Sequence, residues 1–371
     1  MIRFLTIFPR CENAQLVKDV GMIPYTLSKE CNYISTIASF KNGEYPYLFS
    51  EIKGVNQVFI PRFFGYSSLD VLLFILLNYR KYDVLQLYHY SIENVIFGTF
   101  FKLLNVFRSN AKTYLKLDAD DSIFNIRTKG FKVNLLKMFT SRFNLITAES
   151  KTICKFLNEV RLFNRPVVYL PNGFYNRGVR EDVAFAKKDN LIITVGRIGS
   201  LQKSNEVLFS AFKEFAEMNK DWNLSLIGPI EKSFELYIKF FFEENPQLLS
   251  RIDITGPIND REALKSKYDK AKIFVLTSKW EGFPIVFLEA VRSGCTILST
   301  DFSSAKDITD DGKYGGLFKI DDYKKLSNLL VEYTANTKFL KDNCISVQDY
   351  AYKYFHWDVI CKKLDYLLTN D

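Results

Sequence analysis

The chain has 371 residues, a length that suits two α/β domains or one large one. Hydrophobic residues make up 47% and charged residues 25%, which is ordinary for a globular protein with an ample core. The net charge of +8 favours acidic partners such as phosphate-bearing ligands, whereas two histidines and six scattered cysteines without a CxxC pair argue against a zinc site or a disulfide framework.

Neither the N-terminus nor the apolar runs predict a membrane-spanning segment. The apolar stretch of MIRFLTIFPR is too short for a signal peptide, and VLLFILL (71–77) and VIFGTFF (95–101) fall far below the roughly 20 residues that a spanning helix needs. We therefore expect a soluble or peripheral protein in a reducing cytoplasm.

The first half of the chain predicts strands separated by helical patterns. The predicted strands are IRFLTIF, YDVLQLYHY, KTYLKLD, FNLITAES and VVYLPNG. The polar stretch 176–190 has no apolar period and precedes a new strand, so we expect the join between two domains there.

The second half alternates strands and helices more clearly. The predicted strands are NLIITVG, WNLSLIG, RIDITG, KIFVLTS and CTILST, and the helix PIVFLEAVRSG is closed by Gly294. This alternation predicts βαβ units and parallel sheets covered on both faces. Ligands of such sheets bind beyond the carboxyl ends of the strands, so residues directly after the strands are the first candidates for a site.

A pair of glutamates, Glu281 and Glu289, lies in KWEGFPIVFLEA (279–290), directly after a predicted strand. Pro284 suits the first turn of the following helix, because its missing N–H needs no partner there. The helix N-terminus can bind a diphosphate, and the carboxylates can accept hydrogen bonds from sugar hydroxyls on either side of it. The alternative is that Glu281 caps the helix and Glu289 makes an internal polar contact.

Two cations follow another predicted strand, in VGRIGSLQK. Arg197 and Lys203 could both reach a diphosphate, the first with a planar fork and the second as a point charge. Solvated surface charges are the commoner role of any single Arg or Lys, and the position at a strand end favours Arg197 more than Lys203.

These motifs together resemble a known family. VGRI…K…LFSAF, LIGPI, ITGPI, LTSKWEGFPIVFLEAVRSGCTILSTD and LPNG look like the retaining, nucleotide-sugar-dependent glycosyltransferases of family GT4, whose motif E-x7-E the glutamate pair matches. The resemblance is close over about 165–320 and looser over 1–165.

The resemblance implies an α/β protein of the GT-B fold, in which two doubly wound Rossmann-like domains face a cleft. It implies an acceptor-binding domain over 1–183, a nucleotide-sugar donor-binding domain over 184–350, and a C-terminal helix over 351–371, near Trp357, that crosses back to the N-terminal domain.

The resemblance also implies roles for single residues. Glu281 contacts the transferred sugar, Arg197 and Lys203 hold the donor diphosphate, Glu289 binds the ribose hydroxyls, and the loop after Gly256 borders the base. The residues whose backbone lines the sugar and phosphates are Gly282, Phe283, Pro284, Ile285 and Val286.

The acceptor side is less well marked in this sequence. In the family, a glycine-bearing loop follows the first strand, and here Gly21 is the only match in place of the usual paired glycines. Many members carry a histidine after a middle strand, where this chain has Lys116 and Asp118, and His89 after an earlier strand is the alternative polar group. A packing or surface role remains the alternative for His89.

No cofactor or essential metal is expected; the nucleotide diphosphate sugar is a co-substrate, with UDP or GDP as its nucleotide. The segment DAD (118–120) could bind a divalent cation after a strand, but the two-domain pattern and the glutamate pair argue against that site. The absence of GxGxxG argues against a nicotinamide dehydrogenase, and nucleic acid is not expected as a partner.

The basic and aromatic stretch 127–143 predicts an amphipathic helix. Lys and Arg beside Phe and Leu suit an anionic membrane surface, and the alternative is a helix packed on its own domain with solvated lysines. Lipid-linked acceptors are common in the family, so the expected location is the cytoplasm, with peripheral association at the inner face of the membrane.

The sequence thus predicts a metal-independent, retaining glycosyltransferase (EC 2.4, hexosyltransferase type) that acts on a glycan or lipid-linked glycan in surface polysaccharide or glycolipid synthesis. Two alternatives stay open: a sugar-nucleotide epimerase of the same fold, and a non-catalytic protein that binds a nucleotide or polyanion.

Overall fold

The computed structural model describes residues 1–176 and 180–370, which form two compact units. Unit 1 contains residues 1–175 and the C-terminal segment from His356 onward, and unit 2 contains the described residues of 176–355. Each unit is built on one parallel sheet, as the alternation of strands and helices predicts.

The described part of unit 1 has a seven-stranded sheet in the order β3-β2-β1-β4-β5-β6-β7, with every pair parallel. Its strands are β1 (Ile2–Ile7), β2 (Tyr33–Ser39), β3 (Asn56–Phe59), β4 (Val84–Tyr88), β5 (Lys112–Lys116), β6 (Leu145–Ala148) and β7 (Val167–Tyr169). Its connecting helices are α1 (Asp19–Glu30), α2 (Tyr47–Ser50), α3 (Ser67–Asn78), α4 (Ile92–Leu104), α5 (Phe131–Thr140) and α6 (Lys151–Glu159). Short 3₁₀ helices cover Asn13–Val17, Tyr79–Lys81 and Asp121–Asn125.

The described part of unit 2 has a six-stranded parallel sheet in the order β10-β9-β8-β11-β12-β13. Its strands are β8 (Leu191–Val195), β9 (Asn223–Ile227), β10 (Ile252–Gly256), β11 (Ile273–Leu276), β12 (Thr296–Thr300) and β13 (Gly315–Phe318). Its helices are α7 (Asn205–Met218), α8 (Lys232–Glu244), α9 (Arg261–Lys270), α10 (Ile285–Arg292), α11 (Ser303–Thr309), α12 (Tyr323–Ala335) and α13 (Thr337–Tyr354). Short 3₁₀ helices cover Phe185–Lys187 and Pro246–Leu248.

The last helix, α14 (Trp357–Thr369), belongs to unit 1. Its apolar side, which includes Trp357, Ile360 and Leu364, is buried in one core cluster with α1. The other face of the seven-stranded sheet is covered by α3, α4, α5 and α6, which share a separate cluster. The expected C-terminal helix on the N-terminal domain is thereby confirmed.

The boundaries between the two units lie at 175/176 and 355/356. The predicted joins were 183/184 and 350/351. Arg180 donates to Gln348 Oε1 at 3.2 Å, and the backbone N–H of Val183 donates to the same oxygen at 3.2 Å. Gln348 lies on α13, which continues to Tyr354, so both flanking stretches are held in unit 2. Residues 177–179 of the predicted join lie outside the described residues.

Gly98, inside helix α4 of unit 1, is required by packing. A Cβ added to Gly98 of α4 would lie 2.1 Å from Cζ of Phe143, whose ring is fully buried. This distance is far below any van der Waals contact, so the ring of Phe143 and the backbone of α4 can approach each other only because position 98 has no side chain.

Gly98→Ala is therefore expected to destabilise the protein by about 1–3 kcal/mol, the usual cost of overpacking a core. Helix propensity alone predicts the opposite sign, a gain of about 1 kcal/mol. Urea unfolding decides between the two. Phe143→Leu is the partner for a double-mutant cycle. The double variant should be more stable than the sum of the two single effects predicts, because the smaller side chain at position 143 no longer clashes with the Cβ at position 98. Additive effects of the two substitutions would contradict the packing explanation.

Candidate functional site

The strand order of unit 2 brings two predicted site segments together. β8 and β11 are neighbours, and the strand order reverses between them, which is the position where doubly wound sheets bind ligands. Arg197 follows β8, and Glu281 follows β11. The segments that carry the two cations and the first glutamate therefore lie at one edge of one sheet.

An ion pair joins these segments. Lys203 Nζ lies 2.6 Å from Glu281 Oε1, and the Ser278 hydroxyl donates to the same oxygen at 2.7 Å. The Lys203 and Glu281 side chains are only 13% and 9% exposed, so the pair is largely withdrawn from water. Because both donors use Oε1, Oε2 of Glu281 has no hydrogen-bond partner among the described residues and can accept from a ligand.

A glycine makes room for this lysine. A Cβ at Gly196, which directly follows β8 and has φ +154°, would lie 3.1 Å from Lys203 Cε. That spacing is tighter than ordinary contact, so a side chain at position 196 would force the Lys203 side chain to shift.

Gln202 connects Arg197 to the second segment. Arg197 Nη2 donates to Gln202 Oε1 at 3.0 Å, and Gln202 Nε2 donates to the carbonyl of Trp280 at 2.9 Å. The N–H of Lys279 donates to the carbonyl of Gln202 at 2.8 Å. Arg197 itself is exposed, so its guanidinium stays available to an anion at this edge.

The helix α10 begins at Ile285, and Pro284 occupies its N-cap position with φ −69° and ψ 128°. The expectation of Pro284 in the first helical turn is therefore wrong by one residue, because an extended ψ excludes that residue from the helix. The N–H groups of Ile285 and Val286 belong to the first turn, where a helix has no internal acceptors for them. Ser304 donates to the carbonyl of Gly282 at 2.5 Å and so holds the loop that leads into α10.

Glu289 lies on the same helix and contacts a second helix. The hydroxyl of Tyr268, on α9, donates to Glu289 Oε2 at 2.9 Å. Desolvation raises the pKa of Glu289, although the hydrogen bond from Tyr268 acts in the opposite direction. Glu289 Oε1 has no partner in the described part of the chain, which leaves one acceptor for a ligand hydroxyl.

Two further predicted residues of unit 2 lie near this edge in different environments. Gly256 ends β10 with φ +69°, and nothing lies within 4 Å of its would-be Cβ, so it borders open space two strands from β8. The Phe283 side chain is buried and packs against Phe355, so only its backbone can line a ligand.

In unit 1, three of the predicted acceptor residues, His89, Lys116 and Asp118, lie at the carboxyl ends of β4 and β5. His89 follows β4 with φ +63°, and its side chain is half exposed, with Nδ1 4.0 Å from Asp118 Oδ2. Its N–H donates to the carbonyl of Lys116 at 2.9 Å. Asp120, the second acid of DAD, accepts from the N–H of Ser122 and caps a 3₁₀ helix.

Lys116 is the centre of a buried charge cluster. Its Nζ lies 2.6 Å from Glu149 Oε1 and 2.9 Å from Asp19 Oδ2, and its side chain is fully buried. Desolvation acts to lower the pKa of Lys116, but the charges of Asp19 and Glu149 outweigh it and hold that pKa well above its usual value. For the carboxylate of Glu149, burial acts in the opposite direction and raises the pKa. Because the Lys116 side chain is fully buried and its ammonium group is paired with two carboxylates, a structural role accounts for it.

Sequence reasoning missed Glu149 and Asp19. Glu149 directly follows β6, so the strand-end rule that selected Arg197 would also have found it. Asp19 opens α1 and gives no such signal, since its contact with Lys116 depends on the packing of α1 on the sheet.

Gly21 lies in the first turn of α1, so the expectation of a glycine-bearing loop at this position is wrong. A Cβ there would lie 2.0 Å from the carbonyl oxygen of Leu16. The glycine is thus needed because the 3₁₀ helix Asn13–Val17 packs directly on the backbone of α1.

A cavity of about 490 Å³ opens at the switch point of unit 1, between the ends of β1 and β4. His89 lines it together with two arginines that sequence reasoning missed, Arg10 and Arg62. The guanidinium of Arg62 lies over the ring of Phe40 at 4.5 Å. The cavity therefore combines cationic and aromatic groups in a concave surface, which is the usual character of a small-ligand site.

The loops that carry these arginines are fixed by side-chain hydrogen bonds. Asn42 Nδ2 donates to the carbonyls of Pro9 and Cys11 at 3.1 and 3.2 Å. The buried Asp70 accepts from the N–H groups of Phe63 and Phe64 at 2.8 and 3.0 Å.

Within residues 1–176 and 180–370, no group of three or more His, Cys, Asp or Glu side chains is arranged to hold a metal ion.

Comparison with solved structures identifies the fold class. The chain aligns along its full length with the crystal structure of Anabaena Alr3699/HepE in complex with UDP, with a TM-score of 0.75 and 14% identity, covering 100% of both chains. Together with the two parallel sheets, this likeness shows the GT-B fold.

Residues 177–346 match the model of the family described as glycosyl transferases group 1, which supports membership of that family. A Campylobacter jejuni α-1,4-N-acetyl-D-galactosaminyltransferase acting on a diNAcBac-PP-undecaprenol glycan is 26% identical over 193 residues, 51% of this chain and 48% of that protein. An Escherichia coli UDP-Gal:α-D-GlcNAc-diphosphoundecaprenol α-1,3-galactosyltransferase is 26% identical over 219 residues, 55% of this chain and 54% of that protein. The chain thus spans about half the length of these curated relatives.

The charge cluster predicts how stability depends on pH. Lys116→Met leaves Glu149 and Asp19 buried without a cation, and loss of one partner of a buried pair typically costs about 3–5 kcal/mol. The pKa of Glu149, already raised by burial, rises further in the variant, so the unfolded chain releases its proton more readily than the folded one. The loss of stability is therefore smallest at acidic pH and grows as the pH rises through the raised pKa of Glu149.

Urea unfolding across the acidic to neutral range measures this dependence. The matched control is Lys41→Met, which removes an exposed lysine of unit 1. A loss in Lys116→Met that is independent of pH, or no larger than that of the control, would contradict the assignment.

Proposed function

We propose that the protein is a retaining glycosyltransferase of family GT4, hexosyltransferase type, which transfers a sugar from a nucleotide diphosphate sugar to an acceptor hydroxyl. The observation that carries the proposal is the Lys203–Glu281 pair, which joins the segment after β8 to the segment that leads into α10 at the strand-order reversal of unit 2. The matched family and the glycosyltransferase relatives support it.

The diphosphate binds at the edge where cationic groups gather. Lys203 and Arg197 neutralise the phosphates, and the N–H groups in the first turn of α10 add the positive end of the helix dipole. These groups are in place before the ligand arrives, because Glu281 fixes Lys203 and Gln202 fixes Arg197. Such preorganised charge stabilises a leaving group without reorganisation during the reaction.

The two glutamates bind hydroxyl groups on opposite sides of the phosphates. Glu281 Oε2 accepts from the transferred sugar, and Glu289 Oε1 accepts from the ribose, each with an oxygen that protein donors leave open. Gly256 lies beside the base. UDP and GDP are the proposed nucleotides, and UDP is bound in the structures of Anabaena Alr3699/HepE that share the fold.

In the proposed step the bond between the anomeric carbon and the diphosphate oxygen breaks, and the electron pair goes to the diphosphate. The acceptor hydroxyl oxygen forms the new bond on the same face of the sugar. Its proton passes to an oxygen of the departing phosphate, so no protein nucleophile is required. By family resemblance, the anomeric configuration is retained and no metal ion takes part.

The acceptor binds in unit 1, in the cavity lined by Arg10, Arg62 and His89. A glycan linked to a lipid through a diphosphate is the proposed acceptor, because arginine forks suit phosphate groups and both cited relatives act on such glycans. The process served is surface polysaccharide or glycolipid synthesis at the inner face of the membrane. None of the helices in the described residues has the length and apolarity needed to cross a bilayer.

The test is a transfer assay with UDP-glucose, UDP-galactose, UDP-N-acetylglucosamine and GDP-mannose as donors and a polyprenyl-diphosphate-linked sugar as acceptor. Product is expected with one donor, and NMR of that product should show the anomeric configuration of the donor. Arg197→Ala and Glu281→Ala are expected to lower kcat/KM by about 100-fold, the typical effect of removing one preorganised charged contact. The melting temperature should be unchanged in Arg197→Ala, whose side chain is exposed, and lowered in Glu281→Ala, which leaves Lys203 largely buried without its partner.

Lys239→Ala is the matched control, because Lys239 is an exposed cation of unit 2 on α8. Conversion of donor to an isomer without acceptor would favour the epimerase instead. Nucleotide binding without transfer or hydrolysis of any donor would favour the binding protein. Activity that is lost with EDTA and restored by manganese would overturn the metal-independent mechanism.

A further inference from the structure

Many of the exposed apolar side chains of unit 1 lie on one layer of helices. α3, α4 and α5 lie side by side on one face of the seven-stranded sheet, and their inner sides pack into one core cluster. Large apolar side chains are also exposed on their outer sides. The apolar face is defined here by Leu77, Ile92, Leu103, Phe107, Phe131 and Met138.

Helix α5 shows that this exposure is patterned. Phe131, Leu135 and Met138 are exposed at helical spacing, while Val133 is buried against the core. Phe131 is 83% exposed. The helix therefore has one apolar stripe towards the protein and a second towards solvent, which differs from a helix that simply packs on its domain with solvated lysines.

Helix α4 repeats the pattern. Ile92, Ile96 and Leu103 are exposed on α4, and Phe107, in the turn that follows it, is 99% exposed. Single exposed apolar residues are ordinary on protein surfaces, but outward apolar stripes on two adjacent helices are of the kind that marks an interaction site.

The charges beside the apolar face are mostly basic. The segment from Arg127 to Arg142, which contains α5, has five bases and no acid. Among these bases, Lys129 and Lys132 are exposed, and Arg80 and Lys81 are exposed at the end of α3. A basic rim around apolar and aromatic groups matches the polar heads and acyl boundary of an anionic bilayer, whereas a second copy of the same face would bring like charges together.

The apolar face also continues to the cavity of unit 1. Ser67 and Ser68 at the start of α3, and Glu93 and Asn94 in the first turn of α4, line that cavity. The loop before α3 exposes Phe63, Phe64 and Tyr66 beside Arg62. The same two helices thus connect the cavity with the apolar face.

We propose that the apolar face docks unit 1 onto an anionic lipid bilayer. Phe107 and Phe131 insert at the level of the acyl boundary, and Lys129 and Lys132 contact anionic head groups. Where the proposed function holds, a lipid-linked acceptor reaches the cavity along α3 and α4 without leaving the bilayer. Docking itself does not depend on the reaction.

The test is co-sedimentation of the full chain with vesicles of phosphatidylcholine, with and without phosphatidylglycerol. Binding is expected only to the anionic vesicles and should weaken with salt. The variant Leu77→Gln/Phe107→Ser/Phe131→Ser and the variant Lys129→Glu/Lys132→Glu should each lower the partition coefficient by about tenfold or more.

The matched control is Leu236→Gln/Phe240→Ser/Leu249→Ser, which removes exposed apolar residues of unit 2. All variants are first checked for an unchanged melting temperature. Wild-type protein that ignores anionic vesicles, variants that bind as well as wild type, or a wild-type dimer that the apolar-face variant converts to a monomer would overturn the proposal. Loss of transfer with unchanged vesicle binding would count against the proposed function alone.

Discussion

The candidate site of unit 2 depends on the largely buried ion pair between Lys203 and Glu281. A lysine and a glutamate so far from water are costly unless they pair at short range, and the 2.6 Å contact with the added donor Ser278 meets that requirement. The pair exists because β8 and β11, which are far apart in the sequence, are adjacent in the sheet. Gly196 provides the space, since a Cβ there would lie 3.1 Å from the lysine side chain. The site is thus a direct product of the strand order.

The same constraint organises unit 1 with different chemistry. Its strand order reverses between β1 and β4, and the cavity with Arg10, Arg62 and His89 lies there. One strand further along, Lys116 is neutralised by Asp19 and Glu149 and so serves the fold. Unit 1 thus exposes Arg10 and Arg62 at its cavity, whereas Lys116 is buried between two carboxylates. Its helices α3 and α4 link the cavity to the outer apolar surface.

Much of this architecture was predictable from apolar strands followed by glycine or polar residues, as β8, β9 and β11 show. β2 and β3 were missed because β2 carries buried Ser35, Thr36 and Ser39 in place of an apolar run, and β3 is a short, partly exposed edge strand. β13 was missed because it begins with Gly315 and Gly316, which packing against β12 requires. The site segments were found by the strand-end rule. Contacts between elements, such as those of Lys203 with Glu281 and Tyr268 with Glu289, leave no signal in sequence spacing.

The central claim is that the ammonium group of Lys203, held by Glu281, binds a nucleotide diphosphate. The most direct test is the Kd of UDP or GDP, whichever binds more tightly, measured by calorimetry for wild type and Lys203→Met, with the corresponding nucleoside as reference. The substitution is expected to weaken diphosphate binding by about tenfold or more, with a smaller salt dependence, and to leave nucleoside binding unchanged. Equal diphosphate affinity in both proteins, or an equal loss for diphosphate and nucleoside, would contradict it.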